Sequence, residues 1–154
     1  MDIGFGDVVT PYPLALDYPL LLQDVPAVEL YAYSLETLIA EKFHAMVDRD
    51  ESNSRMKDFF DVYQLFTYHE IDKKLLAEAI VSTFKNRNTT YRENLALFSD
   101  KFAENTTRNI WWKSFLKKIR WKEQITFFDV MKNTFYMKQG ICEDCKKRLK
   151  SFTQ

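Results

Sequence analysis

Lys42, Asp58 and Asp61 are the residues whose type and spacing could do chemistry. Lys42 interrupts an apolar pattern. Leu35, Leu38, Ile39, Phe43 and Met46 recur at three- and four-residue intervals, the spacing of one helix face. At about 100° per residue, Lys42 lies nearly in line with Leu35 and between Leu38 and Met46. A lysine there must snorkel, pair with a carboxylate, or face a polar site. The first two outcomes are structural. The third is a phosphate-binding lysine at the floor of a cleft. Asp58 and Asp61 are three apart on a second helical stretch, and Lys57 and Asp61 are four apart, so each pair shares a surface. Two carboxylates that close can hold a divalent metal or orient a proton transfer. They equally make a solvated face with a Lys–Asp pair.

The elements that must position these residues follow from local signals. Ser34 is a good N-cap for the first helix, and Glu36 in its first turn suits the helix dipole. Residues 48–53 form a polar turn. The second helix puts Met56, Phe59, Val62, Tyr63 and Phe66 on one face and Lys57, Asp61, Gln64 and Tyr68 opposite, with Asp58 and Leu65 at the border. Asp72 caps a third helix from Lys73 to about Lys85, with Leu75, Leu76, Ala79, Ile80 and Phe84 on one side. Residues 86–93 read as a loop and 94–98 as a helical turn or short helix. A helix from Thr106 or Thr107 to about Ile119 carries a stripe of Ile110, Trp111, Phe115 and Ile119, with Trp112 off it, at an interface or a second packing layer. A last helix, roughly 124–138, carries Ile125, Phe128, Met131 and Phe135, with Gly140 as C-cap. Ahead of the helices, residues 2–10 alternate weakly and read as a strand holding Gly4 and Gly6. Its expected fates are local disorder, a small hairpin with residues 14–22, or pairing with another chain. Residues 11–28 read as a Pro-punctuated connection in which residues 18–22 are extended.

Composition sets the class. The chain has 154 residues, 46% hydrophobic and 16% aromatic, enough for one domain with a sizeable core. Only three glycines and four prolines are present, too few for a turn-rich sheet protein. The expected fold is α+β but mainly helical: a bundle of five or six helices with a short N-terminal β element. Basic and acidic side chains balance at 22 each, which removes any global electrostatic case for nucleic-acid binding. Their distribution is uneven, with acidic residues dominant before residue 55 and basic residues clustered after 106. The basic stretch 107–122 interleaves Trp111, Trp112 and Trp121, a composition that suits single-stranded nucleic acid and equally an ordinary amphipathic helix.

Several blocks, taken in order, carry a resemblance. They are Asp2-Ile-Gly-Phe-Gly-Asp7, Tyr18-Pro19, Tyr33 to Thr37 leading into Ala40-Glu41-Lys42-Phe43, Asn53 to Asp61, and Thr83-Phe84 with Arg87-Asn88-Thr89. Over roughly residues 1–90 the chain resembles the AbiEii/AbiGii family of nucleotidyltransferase toxins from type IV toxin–antitoxin, abortive-infection systems. The resemblance implies a polymerase β-like nucleotidyltransferase that uses Mg2+ and a nucleoside triphosphate, with the metals stabilising attacking and leaving oxygens. It implies that Asp2 is a metal-binding carboxylate, that Lys42 and Lys57 contact the nucleotide phosphates, and that Lys57, Asp58 and Asp61 form a second polar cluster. The Gly-Ser turn and Asp-x-Asp element that supply the family's other two metal carboxylates do not precede Asp2. The expectation is therefore a C-terminal portion of such a toxin, inert or nearly so alone.

Three regions are expected: residues 1–32 as strand and connection from the nucleotidyltransferase core, 33–140 as a helical domain, and 141–154 as a polar, basic tail. Expected partners are an antitoxin protein, an RNA acceptor, or a second copy paired through the N-terminal strand edge, with no membrane. No apolar run approaches the ~18 residues that span a bilayer, and the start of the chain lacks a leader pattern, so a cytoplasmic protein is expected. Cys142 and Cys145 make half a zinc motif, a redox pair or an ordinary tail. A second functional class stays open: a non-catalytic helical module that binds protein or RNA.

Overall fold

The computed structural model describes residues 6–18, 28–92, 94–140 and 147–149. Asp2, Cys142, Cys145 and residues 19–22 of the extended segment expected at 18–22 lie outside the described residues. Strands β1 (Leu14–Tyr18) and β2 (Val28–Ala32) pair antiparallel, Leu14 opposite Ala32 and Tyr18 opposite Val28. Helices α1 (Leu35–Arg49), α2 (Met56–Tyr68) and α3 (Lys73–Asn86) follow, then the single turn α4 (Asp100–Ala103), α5 (Thr106–Lys118) and α6 (Phe127–Gly140). Short 3-10 turns at Asp50–Ser52 and Ala96–Phe98 complete the set. The fold is α+β and mainly helical, as the composition required. Among the described residues no helix is long and apolar enough to cross a membrane.

The first three helices form where their apolar spacing places them. Ile39, Phe43 and Met46 of α1 are fully buried, and Phe43 meets Phe84 of α3 with ring centroids 6.0 Å apart. Met56, Phe59 and Val62 of α2 are buried, and Phe59 stands edge-on to Phe127 of α6 at 5.2 Å. Asp72 caps α3 by accepting from the Lys74 and Leu75 amides, and its own amide donates to Glu36 at 3.2 Å. The end of α3 is closed by Asn88 at φ 50°, with Thr89 N–H donating to Phe84 O and Asn88 N–H to Lys85 O. Asparagine tolerates this left-handed backbone better than most residues, and the pattern satisfies the last carbonyls. Leu149 joins the core.

Three expectations fail for identifiable reasons. Residues 6–10 are not a strand. The backbone of Thr10 is spent on α1 instead: its N–H donates to Thr37 Oγ1 at 3.0 Å, and its carbonyl accepts from Ser34 Oγ at 2.8 Å and Thr37 Oγ1 at 3.0 Å. The edge on which copy-to-copy pairing was expected is therefore not formed at 6–10. The hairpin lies further on, and 14–18 pairs with 28–32 rather than with residues 6–10. Third, the α5 register is rotated. Trp112, expected off the stripe, is 2% exposed, donates its indole N–H to Ile125 O at 3.0 Å, and packs on Phe60, Phe115 and Phe127. Ile110, Trp111 and Ile119 face outward. On α6, Met131 is buried as expected, but Phe127 and Val130 take the interior with it and Phe128 is exposed.

Candidate functional site

A cleft of about 450 Å3 opens along the outward face of α1, floored by Leu38, Glu41, Lys42, Ala45, Asp48 and Arg49. Arg55 and Asp58 at the start of α2 form one wall. Asp7 and Tyr33 from the N-terminal segment and Arg87 from the end of α3 form the other. Formal charge within the cleft cancels, with Asp7, Glu41, Asp48 and Asp58 against Lys42, Arg49, Arg55 and Arg87.

Lys42 stands where α1 meets α2. Its ammonium donates to Asp61 Oδ2 at 2.6 Å and lies 3.6 Å from Asp58 Oδ1. Lys57 reaches the same Asp61 oxygen at 2.7 Å, and Arg55 Nε lies 3.0 Å from Asp58 Oδ2. The side chains of Lys42 and Asp58 are 15% and 6% exposed, so this contact is largely withdrawn from water. The amine on the apolar stripe is thus paired with carboxylates and does not snorkel to solvent. An ammonium has three N–H donors, and among the described residues Lys42 donates one hydrogen bond, to Asp61, which leaves donors for an oxygen in the cleft.

A second network holds the opposite wall. Arg87 bridges Asp7 at 2.5 Å and Glu41 at 3.0 Å. Thr83 donates to Glu41 at 3.0 Å, Tyr33 donates its hydroxyl to Asp7 at 2.7 Å, and Asn86 donates to Gly6 O at 3.0 Å. The hydrogen bond to Asp7, followed by burial and the charges of Asp7 and Glu41, pushes the Tyr33 phenol up to about 12. The bond to Glu41, and its charge, raise the Arg87 guanidinium further above its ordinary value. His44 shares a 2.7 Å contact with Thr89 Oγ1 and stands edge-on to Phe84, and its burial lowers its pKa below 6.5.

Of the residues singled out from sequence, Lys42, Lys57, Asp58 and Asp61 come together in one cluster, and Asp2 lies outside the described residues. Sequence reasoning assigned no role to Glu41, Tyr33, Asp7, Arg55, His44 or Arg87, although most fall in the blocks that carried the resemblance. Asp7 and Arg87 are 80 residues apart, and no local pattern announces their contact.

Asp58 and Asp61 do not fit a divalent cation. Each already answers cationic side chains, and among the described residues no group of three or more His, Cys, Asp or Glu side chains is arranged to hold a metal. Basic groups at the cleft suit phosphate oxygens better. Lys42 has donors to spare, and the guanidiniums of Arg55 and Arg87 are half-exposed at its rim.

The family model for the nucleotidyl transferase AbiEii toxin of the type IV toxin–antitoxin system matches residues 1–132, well beyond the blocks noted above. No curated protein and no solved structure matches the chain.

Proposed function

The chain belongs to the AbiEii family of nucleotidyltransferase toxins, and we propose that the cleft on α1 is the nucleotide-facing part of an enzyme that transfers a nucleotide from a nucleoside triphosphate to RNA. The observation that carries this reading is Lys42, held by Asp61 and Asp58 at the cleft floor with donors left over. On this reading Lys42 contacts the phosphates as a point charge, and Lys57 keeps Asp61 from swinging into the space they occupy. Arg55 and Arg87 at the rim offer forked donors to the outer oxygens. Placing an ammonium against the triphosphate favours the charge that builds on the leaving group during in-line transfer.

Magnesium is the family's cofactor and would supply electrostatic stabilisation of the reacting oxygens, but the described carboxylates offer it no site. The 154 residues contain no Gly-Ser turn followed by Asp-x-Asp. These residues alone are accordingly expected to bind nucleotide without transferring it, Asp2 serving a metal only beside such a motif. The biological setting in this proposal is the cytoplasm, abortive infection against phage, and neutralisation by the antitoxin partner that the family implies.

A test is incubation of the purified chain with each α-labelled nucleoside triphosphate, magnesium and total RNA. Label retained by the protein but not incorporated into RNA is the expected result. Incorporation would overturn the claim of inactivity. Failure to retain any nucleotide would overturn the assignment of the cleft.

A second reading has an observation of its own. The cleft is formally neutral, and every acidic side chain of the Lys42 cluster is already matched by a cation. A non-catalytic helical module, with the cluster as a structural tie between α1 and α2, accounts for that balance. It predicts no nucleotide retention and an intact protein partner surface in Lys42→Ala.

A further inference from the structure

Between Glu104 and Glu123 the chain carries no acidic residue and six basic ones. Arg108 is turned inward, donating to the Glu51 carbonyl oxygen and lying over the Phe102 ring. The other five, Lys113, Lys117, Lys118, Arg120 and Lys122, are all exposed. On α5 itself two apolar side chains stand out, Ile110 at 57% and Trp111 at 42% exposed, with Ile119 just past its end at 38%. At 100° per residue, Trp111 and Lys118 share one edge of the outward face of α5, and Lys113 and Lys117 share the other, with Ile110 and Ser114 between. The helix continues into a left-handed cap at Arg120, φ 55°, closed by Trp121 N–H donating to Leu116 O, which keeps Arg120 at the basic end.

We infer that this face of α5 binds single-stranded RNA, with Lys113, Lys117 and Lys118 on phosphates and Trp111 stacked on a base. The inference rests on the proposed RNA acceptor and names where it lies. Charge complementarity argues for it: a run free of carboxylates is matched by a polyanion, and an exposed indole beside lysines suits a ligand with both phosphates and π-faces. Lysines and Ser114 break up the apolar side chains, so the face lacks the continuous apolar centre of a protein interface. Phe60 of α2 packs on Trp112, Phe115 and Trp121 of α5 with centroids 6.1, 5.6 and 5.0 Å away. The next residue, Asp61, holds Lys42. Those rings hold the inner side of α5 against α2, so the RNA-binding face is the side of α5 turned away from the helix that walls the cleft.

The experiment is fluorescence anisotropy of the full chain with a labelled 12-nucleotide single-stranded RNA between 50 and 200 mM salt. Binding should weaken with salt, the double-logarithmic slope falling by about 0.7 per phosphate contacted. Substituting Lys113, Lys117 and Lys118 together by Glu should lower the slope by about two units and the affinity more than tenfold. Trp111→Ala should cost about tenfold with the salt slope unchanged. Because Trp111 is exposed, that variant keeps its fold and serves if the triple variant does not. Salt-independent binding, or both variants binding like wild type, overturns the proposal. So does polyglutamate binding wild type more tightly than the RNA does, which would mark the face as one for an acidic protein. Nucleotide retention by wild type and by Trp111→Ala, measured alongside, separates failure here from failure of the cleft reading: loss of the α5 result with nucleotide still bound leaves the cleft standing.

Discussion

Lys42 of α1 and Asp61 of α2 meet at 2.6 Å, and this contact ties the two organising helices together at the edge of the cleft. Lys57 shares the same carboxylate oxygen, and Asp58 lies on the other side of the ammonium. The cluster therefore serves both structure and, on the reading proposed, phosphate contact, so its variants separate into effects on folding and effects on ligand.

Lys42→Ala is expected to cost about 1–2 kcal/mol of stability. Asp58, with its side chain 6% exposed, loses one counter-ion but keeps Arg55, and Asp61 keeps Lys57. Relief from an unpaired buried amine is not expected, because the amine is paired. Urea denaturation of wild type and variant measures the difference, and an unchanged or raised midpoint would mean the contact adds nothing.

Trp111 and Trp112 should behave oppositely. Trp112→Ala removes a buried ring with three aromatic neighbours and a hydrogen bond, and should cost about 3–5 kcal/mol. Trp111→Ala should stay within about 0.5 kcal/mol. Thermal melts of the two variants check the α5 register directly. Equal losses would contradict it.

The sequence left that register ambiguous for a physical reason. Ile110, Trp111 and Trp112 are consecutive apolar residues, so periodicity alone permits either tryptophan to face inward. The choice is made by Phe60 and Phe127, which come from α2 and α6. By contrast α1, α2 and α3 were legible because each has one dominant stripe, broken in α1 only by Lys42, and two have clear caps at Ser34 and Asp72. Of the site, helix geometry singled out Lys42 and paired Lys57 with Asp61, but the contact between Lys42 and Asp61 was not legible, because it joins two helices. The Asp7–Arg87–Glu41 side was not legible either, because it forms only when α3 returns past the N-terminal segment.

Tyr33 gives the fold an alkaline signature. Its phenol has a folded pKa of about 12 against an ordinary 10.0, so the folded state holds the proton more tightly than the unfolded one. The resulting stability is fully present below pH 10 and is lost as pH rises from 10 toward 12. Tyr33→Phe should flatten that decline in the urea midpoint. An identical decline in the variant would assign it to other groups.

His44 acts in the acid range with the opposite sense. Burial lowers its folded pKa, against the pull of Glu41 and Asp48 and with the help of Arg87. The unfolded chain therefore takes up a proton first, and stability falls as pH drops below 6.5. Melting temperatures from pH 7.5 to 5 should show the loss, reduced in His44→Gln. A variant that loses as much as wild type would exclude His44 as its source.

The most direct test of the central claim is calorimetric titration of the chain with each of the four magnesium–nucleoside triphosphates, repeated with Lys42→Ala. The account predicts that at least one nucleotide binds wild type and that this binding disappears in a variant that is still folded. Absence of binding to all four, or binding unchanged without Lys42, would contradict a nucleotide site built on this lysine.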